Sequence, residues 1–64
     1  MGIYAKHVGQ LPDTLVGLVA EDTEYRVLGE PEEGIFVMQT PDFLLIDSWG
    51  EDDLGWTRVE KEDN

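Results

Sequence analysis

The apolar residues of this chain come in runs too short for anything but strands. Five runs, at 14–20 (TLVGLVA), 25–28 (YRVL), 35–40 (IFVMQT), 43–48 (FLLIDS) and 56–59 (WTRV), are each four to seven residues long. They are rich in Val, Ile, Leu, Thr and aromatics, the residues that suit a pleated, half-buried surface. Between them stand turn formers: Glu21-Asp22-Thr23-Glu24, Gly29-Glu30-Pro31-Glu32-Glu33-Gly34, Pro41-Asp42 and the acidic stretch 49–55. Apolar spacing of helical period is sustained nowhere over eleven or more residues, so the pattern predicts an all-β fold.

Short connections favour antiparallel neighbours, because a parallel pair needs a crossover of a dozen residues or more. The expected architecture is a small antiparallel meander of five to six short strands, with Gly2–Val8 (GIYAKHV) as the sixth. So many curved strands in so short a chain suit a small barrel. An SH3-like barrel is favoured over an OB-like one. The OB fold places a helix between its third and fourth strands, and Gln39-Thr40-Pro41-Asp42 leaves no room for one. The reading is one β domain over residues 1–59 and a polar tail, 60–64 (EKEDN), that frays.

Alternation sorts the two strands best defined by sequence. Ile35, Val37 and Gln39 oppose Phe36, Met38 and Thr40, while Phe43, Leu45 and Asp47 oppose Leu44, Ile46 and Ser48. Both faces are apolar, which predicts central strands covered on both sides. The N-terminal segment with Ile3 and Tyr4, or a partner molecule, is the expected cover.

With 64 residues, the chain buries only about 60% of its unfolded surface, which excludes a two-lobed enzyme with a large cleft. Cys is absent, so neither disulfides nor a thiolate metal site can hold it together. Apolar packing must do so, and 41% apolar residues with two each of Trp, Tyr and Phe make that feasible. No apolar stretch is long enough to cross a bilayer, and the N-terminus lacks the basic-then-apolar layout of an export signal. A cytoplasmic protein is expected.

Fifteen Asp and Glu against four Lys and Arg give a formal net charge of −11. That argues against direct contact with DNA, RNA or anionic lipid, which need clustered bases. Residues 1–12 hold one base, Lys6, and no acid; the remainder carries every acid and the bases Arg26, Arg58 and Lys61. In an up-and-down meander, Glu21, Asp22, Glu24 and Asp42 share one end. Glu30, Glu32, Glu33, Glu51, Asp52 and Asp53 share the other, flanked by Trp49 and Trp56.

Six carboxylates beside two tryptophans are a candidate contact surface for a basic partner, because an indole face also attracts cations. Burial in the core is the plainer role for each indole. In its strongest form the reading is DNA mimicry, in which carboxylates stand in for phosphates on a nucleic-acid-binding protein. In size and composition, though in no motif, the chain is similar to small acidic inhibitors that phages encode. The competing reading is a structural or accessory domain whose acidity serves solubility or life in high salt. An unpaired edge strand would also support a homodimer.

Catalytic and cofactor chemistry find little support. Ser48, His7 and Asp47 contain the residue types of a triad, but no nucleophile elbow surrounds Ser48. Asp47, Glu51, Asp52 and Asp53 offer oxygen ligands in a spacing unlike an EF-hand. No phosphate-cradling motif is present. The expectation is a non-enzymatic protein without metal or cofactor.

Overall fold

The computed structural model describes residues 1–62. Five antiparallel strands form one sheet: β1 (Gly2–Val8), β2 (Glu24–Glu32), β3 (Ile35–Gln39), β4 (Leu44–Ser48) and β5 (Gly55–Lys61). The fold is all-β, as the pattern of runs predicts. Its order is β4-β3-β2-β1-β5, so the meander holds from β1 to β4 and the chain then crosses to the opposite edge. There β5 pairs along the whole of β1, from Gly2↔Lys61 to Val8↔Gly55. The sheet does not close into a barrel: among the described residues β4 and β5 are its edges.

Three sequence expectations fail for local reasons. The first is the run 14–20, which is a string of turns. Leu15 N–H donates to Pro12 O, and Leu18 and Val19 N–H both donate to Leu15 O. Gly17 takes φ +83°, a left-handed conformation that a strand cannot hold. Only Leu15 and Val19 point inward; Val16 and Leu18 are exposed. Spacing of four residues, not alternation, is what those two burials obey.

The second is the supposed turn at 29–34. β2 runs on to Glu32 through two register shifts, around Gly29 and before Glu32. Such irregularities bend a strand and increase its twist. The reversal itself needs only Glu33 and Gly34, with Gly34 at φ +82°.

The third is the tail. Glu60 and Lys61 belong to β5, paired with Ile3 and Gly2; of the polar tail, residues 63–64 lie outside the described residues.

One face of the sheet carries the core. Ala5, Phe36, Met38 and Trp56 come from strands, while Leu15 and Val19 fold over them from the β1–β2 connection. Leu11, Tyr25, Val27, Leu45 and Trp49 pack around this cluster. Phe36 and Met38 are fully buried, and truncating either to Ala costs about 2–5 kcal/mol. Thr40 is also buried, and its hydroxyl accepts from Phe43 N–H at 3.0 Å and Asp42 N–H at 3.2 Å, which shapes the β3–β4 turn.

The opposite face is uncovered at β4. The N-terminal segment expected to shield it is a strand inside the sheet, and β4 is an edge, not a central strand. Leu44 and Ile46 are accordingly exposed.

Candidate functional site

The residues expected to share one acidic end come from two connections that meet only in part. The β4–β5 loop starts beside the β2–β3 turn but leads to Gly55, paired with Val8 at the opposite end of β1, so the Glu51–Asp53 turn leads away from Glu32 and Glu33. Trp49 N–H donates to Gly34 O at 3.0 Å, which joins the start of the β4–β5 loop to the β2–β3 turn. Its indole stacks on Phe36 with centroids 4.1 Å apart and planes 24° from parallel. The Arg58 guanidinium lies over the same indole, 5.2 Å from its centroid. Glu30 completes the group: one carboxylate oxygen accepts from the Trp49 indole N–H at 3.2 Å and pairs with Arg58. This cluster ties β2 to β5 across β1. Both charged groups are partly solvated, so the pair contributes less than about 1 kcal/mol.

Trp49 is therefore a half-buried lid on the core and Glu30 is already neutralised. Trp56 is further from a contact role, at 4% exposure. Its ring meets His7 edge-on at 5.1 Å and Phe36 at 5.8 Å, and its indole N–H donates to Asp47 Oδ2 at 3.0 Å. Trp56 is thus a core anchor and drops out of the candidate contact residues. A core this small needs large apolar volume, and Asp47 supplies the partner that the buried indole N–H requires.

Glu32, Glu33, Glu51, Asp52 and Asp53 are exposed and make no ion pair among the described residues. The last three sit on a tight turn in which Leu54 N–H donates to Glu51 O at 3.0 Å. Asp52 and Asp53 both take left-handed backbone, φ 53° and 61°, which is the pattern of a type I′ turn. Aspartate tolerates that region better than most residues, at some cost. Gly50 supports the turn from beneath, donating its N–H to Trp56 O at 2.8 Å. A Cβ on Gly50 would lie 1.8 Å from Leu54 O, so only glycine fits.

Two of the four acids expected at the other end are engaged. Glu24 pairs with Lys61, and Glu21 accepts from Leu11 N–H at 3.2 Å. On the uncovered face, Lys61 and Arg26 approach the Tyr4 ring at 4.9 and 5.5 Å, and Arg26 donates to the Tyr4 hydroxyl. Lys61 over Tyr4 and Arg58 over Trp49 escape the sequence, because both depend on β5 returning beside β1, whereas Arg26 meets Tyr4 through the β1–β2 register.

The triad residue types do not assemble into a relay. His7 is buried against Trp56 with its Nδ1 lacking a hydrogen-bond partner, Asp47 accepts from Trp56, and Ser48 is exposed on an edge strand. Among the described residues no three His, Asp or Glu side chains converge on a potential metal position. No helix there is long and apolar enough to cross a membrane.

No protein-family model matches the chain, and no curated protein or solved structure matches it either.

Proposed function

We propose that this protein is a non-enzymatic binder that docks its exposed acidic loops on a basic surface of another protein. What supports the reading is the exposure of Glu32, Glu33, Glu51, Asp52 and Asp53 on two loops that the bond from Trp49 N–H to Gly34 O joins. Five exposed carboxylates on a chain of net charge −11 repel one another, and a basic surface relieves that repulsion. The strongest form of the proposal is an inhibitor that mimics DNA phosphates on a nucleic-acid-binding protein in the cytoplasm, as phage inhibitors of similar size and acidity do. For the architecture, an open SH3-like arrangement is favoured over an OB-like one. The support is the direct β3–β4 connection, which holds no helix.

The test is capture from a lysate on immobilised protein, eluted once with rising salt and once with duplex DNA. A mimic's partner is released by both. Reversal of Glu51, Asp52 and Asp53 to Lys abolishes that capture, and a capture that survives the reversal sinks the proposed surface.

A further inference from the structure

Trp49 rests on a fixed base. Its indole stacks on fully buried Phe36 and its backbone N–H is held by Gly34 O, so the ring keeps its place whatever lies over its outer face. Glu30 is aimed at the rim of that ring by the strand itself. The register of β2 with β3 passes from Val27↔Met38 to Gly29↔Val37, which inserts one extra residue into β2. The bulge reverses the alternation, so Glu30 turns to the face of Val27 and meets the indole N–H at 3.2 Å. A carboxylate fixed beside an aromatic face suits a guanidinium, which is planar, stacks on the ring and donates from its edge. The chain fills this slot itself, with Arg58.

The occupant is loosely held. Arg58 reaches in from an edge strand with its side chain 42% exposed, and an ion pair so open contributes little. A groove beside it is walled by Trp49, Gly50, Trp56, Thr57 and exposed Asp53. We infer that Glu30 and Trp49 form a receptor for an arginine side chain of the basic partner, which displaces Arg58 toward Asp53. The partner rests on the function proposed above, whereas the slot stands on its own geometry. The exchange leaves no charge newly unpaired. The incoming guanidinium takes Glu30, and Arg58 takes a carboxylate that has no cation among the described residues. A chain of net charge −11 draws the arginine in. Lysine is the poorer occupant, because its ammonium is a strongly hydrated point charge that cannot stack.

The indole N–H resonances of the isotope-labelled full chain read this exchange, with Trp56, bonded to Asp47, as the internal reference. Titration with N-acetyl-arginine amide at constant ionic strength should shift the Trp49 signal. It should also remove the nuclear Overhauser contact between the Arg58 side chain and the Trp49 ring. Arg58→Ala vacates the slot, so the same probe should bind about fivefold more tightly, the competition from an open ion pair being of that order. Adding Glu30→Gln to Arg58→Ala should weaken the binding about fivefold or more, and N-acetyl-lysine amide should bind Arg58→Ala several-fold less tightly than the arginine probe. In Arg58→Ala the probe needs neither Asp53 nor its loop, so binding at Glu30 and Trp49 stands or falls apart from capture by the acidic loops. The inference is overturned if the arginine probe leaves the Trp49 signal unmoved in both wild type and Arg58→Ala, or if Arg58 stays on the ring at saturation. It is equally overturned if Glu30→Gln makes no difference or if the lysine probe binds as tightly.

Discussion

Asp47 Oδ2 accepts the indole N–H of Trp56 at 3.0 Å, which fastens β4 to β5 although the two strands lie at opposite edges of the sheet. The bond is local in sequence, nine residues apart, and spans the full width of the strand order. With Gly50 N–H on Trp56 O at 2.8 Å, it curls the sheet around its core without closing the ladder. A carboxylate that looks like surface charge in the sequence is therefore structural.

Loss of that acceptor leaves the buried indole N–H unsatisfied. Asp47→Ala should cost about 1–3 kcal/mol, and Asp47→Asn, which keeps a carbonyl acceptor, clearly less. Urea denaturation followed by tryptophan fluorescence measures both, and equal losses would show that the bond contributes nothing specific.

Glycine is required at position 50 for space, not for backbone freedom. Gly50→Ala places its Cβ against Leu54 O and should destabilise by about 2 kcal/mol or more. Gly29, with nothing within 4 Å of its notional Cβ, is the matched control, and Gly29→Ala should change stability by no more than about 0.5 kcal/mol. Thermal melting of the pair reads the difference.

The acidic turn stores strain that substitution can remove. Asp52→Asn with Asp53→Gly supplies the residues a type I′ turn prefers and removes two like charges. Stability should rise by about 1 kcal/mol, which is roughly 4–8 °C in Tm for a domain this small. An unchanged or lower Tm argues that the turn is not held in that conformation.

Salt separates an acidic binder from a halophilic domain. The isolated protein should be folded in dilute buffer and gain only a few degrees of Tm in molar KCl, as screening relieves repulsion among the exposed acids. Complete unfolding in dilute buffer would remove the mimicry reading and leave salt adaptation.

Arg58→Ala should uncover the Trp49 indole while leaving most of the stability in place. The expected signature is a red shift of the Trp49 emission, isolated in a Trp56→Phe background, with a loss within about 1 kcal/mol. An unshifted spectrum would mean that the guanidinium does not shield the ring.

Runs 35–40 and 43–48 were readable because strand period and turn chemistry agree over them: Phe36 and Met38 alternate with Ile35 and Val37, and Pro41-Asp42 ends the first run. At 14–20 composition misleads, since Val and Leu are as useful in a turn that buries every fourth residue as in a strand. The candidate site was half legible. Acids in turns advertise their exposure, and Glu32, Glu33, Glu51, Asp52 and Asp53 are indeed exposed. Nothing in the sequence signals that Glu30 and Trp49 meet Arg58, or that Trp56 bonds Asp47.

Local physics thus settles the class of fold, the hairpins from β2 to β4 and the exposure of the acidic turns, because strand period, turn residues and charge act within a few positions of the chain. Where β5 goes is not a local matter. Its return beside β1 joins residues up to 59 positions apart, from Gly2 to Lys61, and depends on the core formed by Trp56, Phe36 and Ala5. That one pairing opens the sheet at β4, buries Trp56, sets Arg58 over Trp49 and divides the acids into those that hold the fold and those left facing solvent.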